Sequence, residues 1–474
     1  MAWDRTAVPV RQKERGSVMF NISQKHTRVT TFYVLSRETK DLAPKLKLSS
    51  RRKKTVLVIP TLATEFTLEE NRPVFLNILK HISRLTYLSN IIFGLDRATD
   101  QEALELAILC KRHGIRNFVI QHNEGADFRR LYDQLNEAGF DLTLPGKGKN
   151  MFMSFGVAQA LGARCVGVVD ADIRTFHRRQ VDRLFYPVLA LDYQFSKAFY
   201  ARIGDNRMYG RVKRLLVDPL LLAFKRKFSE SGEEKFLRII DYLLMFNYQL
   251  SGEVAFDIGL LKKMHFAMNW GVEIFTLIEV FRKASSIAQI QFSTHPFDHK
   301  HQSVSMDDKD KGLHKMAIDI VTTILSALVI EEGLEISDYF MQDLTLTYMN
   351  VADELIKKYA DNSSFSDLHY DRNAEEAIVR RIFKDAILAA GDYLTTPQRS
   401  TERFLRVLSS HERFRKYLEA GISEDLIAYE KENRTQLFET PQTVSWERII
   451  MKLPRILYDI GDVVEKQRSF YAKA

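Results

Sequence analysis

Apolar positions in the first third of the chain fall into short runs, and stretches with helical spacing separate them. The runs predict four strands: Thr55–Ile59, Asn90–Phe93, Asn117–Gln121 and Cys165–Val169. The helical patterns lie near Phe75–Leu85, Gln101–His113, Phe128–Ala138 and Asn150–Leu161. Short apolar strands that alternate with helices of this length are typical of a parallel sheet in an α/β protein.

The pattern changes at about residue 304. Strand signals become scarce, and long stretches such as Lys315–Glu331 and Asn373–Leu394 have helical apolar spacing. A chain of 474 residues, 45% of them hydrophobic, is long enough for more than one core. We therefore predict an N-terminal arm over residues 1–54, an α/β domain over 55–303 and a mainly helical C-terminal region over 304–474.

Charge is concentrated at the N-terminus. Residues 1–54 hold 14 Lys/Arg against 4 Asp/Glu, whereas the whole chain has a net charge of +8. A solvated basic arm is the simpler interpretation, and a contact with nucleic acid or an anionic membrane is the alternative. Because no nucleic-acid-binding motif accompanies the arm, we expect no nucleic-acid partner.

Two further features of the composition bear on the compartment. The chain contains no run of about 18 apolar residues, so we expect no transmembrane segment. The only cysteines, Cys110 and Cys165, stand in apolar surroundings without CxxC spacing. This pattern predicts two buried thiols in a reducing compartment, the cytoplasm.

Polar residues stand at the ends of the predicted strands. Pro60, Asp96, Asn123 and Asp170 each follow or close one of the four runs. Ligands of open α/β sheets bind outside the carboxyl ends of the strands. These residues are therefore predicted to line one rim of the sheet.

The segment Asp170-Ala171-Asp172 comes directly after the fourth strand. Residues two apart on an extended chain point the same way, so both carboxylates can face one ligand. Two hard oxygen donors suit Mg²⁺ or Mn²⁺, ions that also take phosphate oxygens. The alternative is a strand-end aspartate that caps the following turn.

Basic and histidine-rich segments supply further candidates. Gly146–Asn150 precedes a helix, where glycine amides, Lys147 and the helix N-terminus could bind an anion, although the spacing is not that of a P-loop. Gly210–Arg214 is a second candidate anion site. Residues 295–302 hold three histidines, and His299 and His301 are candidate ligands of Mn²⁺ or Zn²⁺. For each segment a solvated turn or surface histidines is the alternative.

Taken together and in this order, these segments resemble the glucosyl-3-phosphoglycerate synthases, which are retaining transferases with the GT-A nucleotide-sugar-binding fold. The resembling segments are 60–65, 146–148, 170–172, 197–200, 210–212 with 219–221, 252–253, 271–274 and 299–302. Each is weak alone, but their order is hard to obtain by chance, and together they cover residues 55–303. Two segments depart from the family pattern: Ala63-Thr64 replaces Asn-Glu, and Lys213 replaces a threonine.

The resemblance implies a role for each matched residue. The implied donor-binding residues are Pro60, Thr61, Leu62, Glu65, Asp96, Lys147, Asp170 and Ala171. The implied acceptor-binding residues are Gly210, Arg211, Lys213 and Glu253. Asp172 with His299 or His301 would hold a Mg²⁺ or Mn²⁺ ion, and Glu273 and Asp170 are the implied catalytic carboxylates. The helical region resembles the tails of mannosylglycerate synthases and implies a homodimer.

The expected activity is transfer of glucose from UDP- or GDP-glucose to 3-phosphoglycerate, towards glucosylglycerate. Transfer of glucose or mannose to glycerate or another small acid is one alternative, and an inactive nucleotide-sugar-binding module is another. A nucleotidyltransferase would be expected to carry a glycine-rich loop after the first strand, and Thr61–Thr64 contains no glycine.

Overall fold

The computed structural model describes residues 24, 27–35, 41–299, 312–395 and 442–473. Its strands are β1 (Val29–Phe32), β2 (Thr55–Leu62), β3 (Asn90–Asp96), β4 (Phe118–His122), β5 (Cys165–Val168), β6 (Phe195–Phe199), β7 (Ile203–Gly204), β8 (Arg207–Met208), β9 (Val254–Asp257) and β10 (Ile287–Gln291). Eight of them form one sheet in the order β1-β10-β6-β9-β5-β2-β3-β4, and β7 and β8 form a separate hairpin.

Helices connect and cover these strands. Those of the α/β part are α1 (Ala43–Ser50), α2 (Thr64–Thr67), α3 (Arg72–Ile82), α4 (Asp100–Arg112), α5 (Ala126–Glu137), α6 (Lys147–Ala160), α7 (Arg178–Ala190), α8 (Asp218–Ser231), α9 (Leu237–Leu244), α10 (Ile258–Leu261) and α11 (Val272–Lys283). The later helices are α12 (Gly312–Glu332), α13 (Asp338–Phe365), α14 (Arg372–Ile378), α15 (Lys384–Thr395), α16 (Trp446–Lys452) and α17 (Ile456–Lys473). Two π-helical segments, Val212–Val217 and Val379–Phe383, precede α8 and α15.

The four predicted strands are the strands β2 to β5, and the predicted α/β class is confirmed. β2 is buried along nearly its whole length, as expected for a strand with neighbours on both sides and helices on both faces. The sheet is not wholly parallel, however, because β9 runs antiparallel to both β5 and β6. The sequence pattern also did not reveal β6, β9 and β10, which complete the second half of the sheet.

Part of the predicted arm belongs to the sheet. β1 pairs in parallel with β10 at the sheet edge, and the guanidinium of Arg28 lies 4.1 Å from the centre of the Phe281 ring. α1 packs on α7. The rest of the arm lies mostly outside the described residues, so its predicted role as a solvated segment stays a prediction.

The two faces of the sheet have separate hydrophobic cores. α3, α4 and α7 cover one face around Phe75, Leu106 and Leu184. The other core begins under α6 at Phe152 and continues without interruption into the helical region as far as Phe383. The predicted boundary at residues 303 and 304 falls outside the described residues, but the helical region shares one core with the sheet.

The helical region closes around this second core. α12 is long and apolar enough by composition to cross a membrane, yet 78% of its most apolar window is buried inside the protein, where it packs on α11 and α15. α16 returns to the α/β part: Trp446 stacks on Phe152 with ring centres 4.8 Å apart and donates a 2.9 Å hydrogen bond to its carbonyl. α16 therefore packs against α6, one of the helices that cover the sheet.

Candidate active site

The carboxyl ends of β2, β3 and β5 meet at one rim, as predicted. β2 and β3 run in register to the end, with Leu62 opposite Asp96. Pro60 does not stop β2, since the strand continues through it to Leu62. β2 pairs with β5 only as far as Val58, so Pro60, which lacks an N–H, sits where that edge of β2 has no ladder to continue.

A network of amides surrounds Asp96 at the end of β3. Asn123 donates a 2.5 Å hydrogen bond to one carboxylate oxygen, and Asn150 donates a 2.8 Å hydrogen bond to the other. Asn123 in turn accepts hydrogen bonds from Tyr132 at 2.9 Å and Gln121 at 2.8 Å. Burial raises the pKa of Asp96, although both amide hydrogen bonds act in the opposite direction. The result is a rigid polar pocket at the β3–β4 end of the rim.

The ammonium of Lys147 lies close to both predicted catalytic carboxylates. Its Nζ lies 2.7 Å from Asp170 and 3.3 Å from Glu273, although the three residues come from α6, the segment after β5 and α11. Burial acts to lower the pKa of Lys147, but the charges of Asp170 and Glu273 outweigh it and raise that pKa above its usual value. The ammonium therefore remains charged among the carboxylates.

Glycines allow this close approach. A Cβ at residue 252 would lie 2.6 Å from both Asp170 Oδ2 and Lys147 Nζ, so these two side chains would have to move away. A Cβ at residue 148 would lie 1.9 Å from the backbone carbonyl oxygen of Ala267. Packing against backbone thus requires glycine at residue 148, and Gly252 leaves room for the Lys147–Asp170 contact.

Glu253 lies behind Asp170 and is fully buried. Tyr200 donates a 2.8 Å hydrogen bond to its Oε2, while Oε1 has no partner among the described residues. Burial, helped by the charge of Asp170, raises the pKa of Glu253 to about 7. Lys197, also buried, donates a 2.6 Å hydrogen bond to the carbonyl of Ser251, and burial lowers its pKa to about 8.

An isolated antiparallel β-bridge between Ile173 and His299 brings the predicted metal ligands Asp172 and His299 together. Asp172 Oδ2 lies 3.9 Å from Nδ1 of His299, and Nε2 of that ring is buried without a partner among the described residues. Two ligands of one ion at ~2.0–2.2 Å can be no more than about 4.4 Å apart. The pair therefore fits a divalent ion, while His301 lies outside the described residues.

The described residues contain no third His, Cys, Asp or Glu grouped with this pair as a metal site. That is compatible with an ion that takes its remaining ligands from phosphate oxygens and water, as Mg²⁺ commonly does. Of the two predicted ligand pairs, Asp172 with His299 and Asp172 with His301, only the first lies within the residues that the structure describes.

Three of the four predicted acceptor residues, Gly210, Arg211 and Lys213, lie where the β7–β8 hairpin leads into the first π-helical segment. The fourth, Glu253, lies instead beside Tyr200 before β9. Gly210 has φ 78°, and a Cβ there would approach the Tyr248 hydroxyl and the side chain of Arg202. Burial lowers the pKa of Arg211, and the charges of Arg202 and Arg214 lower it further. Arg202 Nε is buried without a hydrogen-bond partner among the described residues.

Lys213 differs from the other predicted acceptor residues. It forms an ion pair with Asp218, and its side chain is only 16% exposed. No observation of the structure tests its predicted contact with the acceptor, which stays a prediction. Arg202, a residue that no motif in the sequence had singled out, lies beside Gly210.

The remaining predicted donor residues have varied surroundings. Ala171 and Glu65 are buried, and Leu62 is 38% exposed at the end of β2. Thr61 donates its hydroxyl to the carbonyl of Ile59 at 2.8 Å, a bond within its own strand. Thr61 and Leu62 end β2, Glu65 lies on α2 and Ala171 follows β5. Their predicted contacts with a nucleotide stay predictions.

Fold and site together define a class of protein. A mostly parallel sheet carries, at its carboxyl rim, an aspartate–histidine pair that fits a divalent ion, a hydrogen-bonded network around Asp96 and a lysine between two carboxylates, with arginines close by. This combination is that of an α/β enzyme acting on nucleotide and acidic substrates.

Comparison with known proteins gives the family. A glucosyl-3-phosphoglycerate synthase from Persephonella marina is 36% identical over 361 residues, which are 75% of this chain and 85% of the relative. The corresponding synthase from Methanococcoides burtonii is 30% identical over 77% of this chain and 88% of its own. The chain therefore belongs to the glucosyl-3-phosphoglycerate synthase family, and the resemblance found in the sequence is confirmed together with the GT-A fold class and its helical C-terminal region.

Solved structures give a weaker likeness, and no protein-family model matches the chain. A crystal structure of glucosyl-3-phosphoglycerate synthase from Mycobacterium tuberculosis, in complex with Mn²⁺, UDP-glucose and phosphoglyceric acid, is 24% identical with a TM-score of 0.47. It covers 65% of this chain and 89% of its own. At that level it adds nothing to the assignment made from the two relatives.

Proposed function

We propose that this protein transfers glucose from a nucleotide sugar to 3-phosphoglycerate with retention of configuration, releasing a nucleoside diphosphate. Membership of the family supports the reaction, and one observation supports the site. Lys147 holds Asp170 and Glu273 within 3.3 Å of its ammonium, beside the Asp172–His299 pair. Charged groups of both signs thus meet at the place where a sugar diphosphate would lie across the rim.

We assign the nucleotide to the β2–β3 side of the rim. The Asp96 carboxylate, fixed by Asn123 and Asn150, offers an acceptor to the ring N–H of a base. Lys147 follows towards the centre of the site and would contact the diphosphate. The base and the diphosphate would thus lie side by side along the carboxyl ends of the strands, where ligands of open α/β sheets bind.

In the reaction, the bond between the anomeric carbon and the diphosphate oxygen breaks, and a bond forms from that carbon to the acceptor hydroxyl oxygen. The hydroxyl proton passes to the departing phosphate on the same face of the sugar, which retains the configuration. Asp170 and Glu273 would orient sugar and acceptor hydroxyls, because carboxylates accept hydrogen bonds from them. A Mg²⁺ or Mn²⁺ ion held by Asp172 and His299 would neutralise charge on the diphosphate.

The acceptor is assigned to the arginines that converge on Gly210. Arg214 and Lys213 are paired with carboxylates, whereas Arg202 and Arg211 form no ion pair with any residue that the structure describes, and 3-phosphoglycerate brings two anionic groups. Lys213, which replaces a threonine of the family pattern, is paired with Asp218.

The proposal is tested with a panel of donors and acceptors. UDP-glucose, GDP-glucose and the two corresponding mannosyl donors are each combined with 3-phosphoglycerate or glycerate, with Mg²⁺ or Mn²⁺ present, and released nucleoside diphosphate is measured. We expect turnover with a glucosyl donor and 3-phosphoglycerate. Turnover with glycerate alone would select the alternative acceptor, and nucleotide binding without any turnover would indicate an inactive module.

Two wider expectations stay proposals. The two cysteines are buried and free, and burial raises the pKa of both thiols, which suits a cytoplasmic enzyme. The homodimer implied by the helical region is checked by sedimentation equilibrium of the purified chain.

A further inference from the structure

A small hairpin lies between the segment of the predicted metal ligand His299 and the helical region. It consists of β7 and β8, with Asp205 and Asn206 in the left-handed region at its tip. On one side, Ile203 donates a 3.2 Å hydrogen bond to the carbonyl of Phe297, and Phe297 donates one of the same length to Ala201. The hairpin is thus attached to the segment that carries His299.

On its other side, the hairpin is bound by the loop between α13 and α14. His369 donates a 2.8 Å backbone hydrogen bond to Asn206, and the Asn206 side chain donates a 2.9 Å bond to the carbonyl of Asp367. These partners are more than 160 positions later in the chain. The hairpin therefore bridges the catalytic rim and the helical region.

The segment that follows the hairpin is held by a buried ion pair. Arg214 donates two hydrogen bonds to Glu375 of α14, at 2.9 and 2.6 Å, with side-chain exposures of 6% and 11%. The same guanidinium donates to the carbonyls of Tyr209 at 3.0 Å and Met208 at 3.2 Å. One planar cation thus ties the end of the hairpin to the helical region.

The ion pair encloses the proposed acceptor residues. Gly210 and Arg211 lie between Tyr209, whose carbonyl accepts from Arg214, and Arg214 itself. The π-helical turn that starts after Arg211 is also fixed from α13, where Tyr348 donates a 2.6 Å hydrogen bond to Leu215. Single π-helical turns occur frequently at functional sites.

We propose that Glu375 is a positioning residue for the acceptor: through Arg214 it holds Gly210 and Arg211 in the geometry that binds the acceptor's anionic group. The inference rests on the proposed function for the identity of that group. It assigns the helical region a part in acceptor recognition, because Glu375, on α14, bonds to Arg214 through both of its carboxylate oxygens.

The test is Glu375→Gln in the full-length chain, with Glu354→Gln as the matched control. Glu354 pairs with Arg226 and also joins α13 to α8, but both side chains are at least 40% exposed, and neither residue bonds to Arg214. For Glu375→Gln we expect KM for 3-phosphoglycerate to rise about tenfold or more, with KM for the donor within about twofold. The control should change neither constant.

Two further measurements separate positioning from a general loss of folding. In an Arg211→Ala background, Glu375→Gln should add little to the acceptor KM, because both changes act on one unit. Amide hydrogen exchange should become faster over residues 203–214 in Glu375→Gln and stay unchanged around Asp96 and Lys147. An equal loss for donor and acceptor, full additivity, or unchanged exchange over 203–214 would each overturn the inference.

The exchange measurement also keeps this inference distinct from the proposed reaction. If the unmodified enzyme did not use 3-phosphoglycerate, the proposed function would fail at that step. Faster exchange confined to 203–214 would still support the positioning role, and exchange equal to that of the unmodified chain would still reject it.

Discussion

The proposed donor and acceptor sides of the site are built in different ways. On the proposed donor side, Asp96, Asn123 and Asn150 come from consecutive strand and helix units, and both amides bond to the aspartate. On the proposed acceptor side, Arg211 precedes a π-helical segment in which Arg214 bonds to Glu375, 161 residues further along.

The two sides differ in what holds their residues in place. Strand ends in a parallel sheet are fixed by the ladders of their neighbours, so polar side chains there need little extra support. A hairpin of two-residue strands has almost no ladder of its own and takes its conformation from what packs against it. The comparison predicts that changes on the donor side affect chemistry, whereas changes on the acceptor side affect affinity for one substrate.

The largest expected effect comes from Asp172→Ala. We expect kcat/KM to fall about 10³-fold or more in Mn²⁺, because a charge-neutralising ion would lose a carboxylate ligand. Turnover and Mn²⁺ affinity are measured together. Asp192→Ala, at an 82% exposed surface position, is the control and should behave as the unmodified enzyme. Unchanged turnover in Asp172→Ala, or a loss confined to acceptor KM, would break the division between the two sides.

A smaller effect is expected from the arginines of the acceptor side. Arg211→Ala and Arg202→Ala should each raise KM for 3-phosphoglycerate about 10- to 100-fold, since each removes a charged hydrogen-bond donor. Initial-rate measurements with both substrates varied give the two KM values. Arg207→Ala, exposed on the same hairpin, should leave both unchanged. If the donor KM rose equally in Arg202→Ala, Arg202 would not belong to the acceptor site.

The smallest effect concerns stability and a buried carboxylate of the α/β part. Burial raises the pKa of Asp182 on α7 to about 6, although the Tyr87 hydroxyl acts against it. Between about pH 4 and pH 6 the unfolded chain loses this proton while the folded protein keeps it, so this group lowers the free energy of unfolding as pH rises. Asp182→Asn should remove that loss.

Urea unfolding of both chains at pH 4 and pH 7 measures the effect. At each pH the free energy of unfolding of the unmodified protein is subtracted from that of Asp182→Asn. This difference should be about 2 kcal/mol more favourable to the variant at pH 7 than at pH 4. Asp192→Asn, changed at the exposed position, should show no such shift. A shift of opposite sign would mean that the carboxylate is stabilised when ionised, as a paired carboxylate is.

The sequence predicted the first half of the sheet better than the second. β2 to β5 are continuous apolar runs separated by clear helices, and their ends are within a few residues of the predicted ones. β9 contains only four residues and follows Glu253, and β6 includes the buried Lys197, so neither has the continuous apolar pattern of a central strand. β9 joins the sheet by pairing with β5 and β6, and β6 also pairs with β10, so their place depends on strands far away in the chain.

The same distinction holds at the site. Lys147, Asp170 and Glu273 were each proposed from local motifs, and the structure brings all three together. Arg202 has no motif, and its proximity to Gly210 depends on the hairpin folding back. The ion pair of Lys213 with Asp218, five positions on, was likewise not visible in the pattern of charges.

The sequence by itself determined the α/β class, the rim and the residue types of the catalytic centre, because short-range periodicity and strand-end position suffice for these. Only the tertiary structure decided which arginines are neutralised, which glycines are required by close contact, and how the helical region reaches the acceptor hairpin. Those features depend on contacts between residues far apart in the chain, and no local pattern of a single sequence records them.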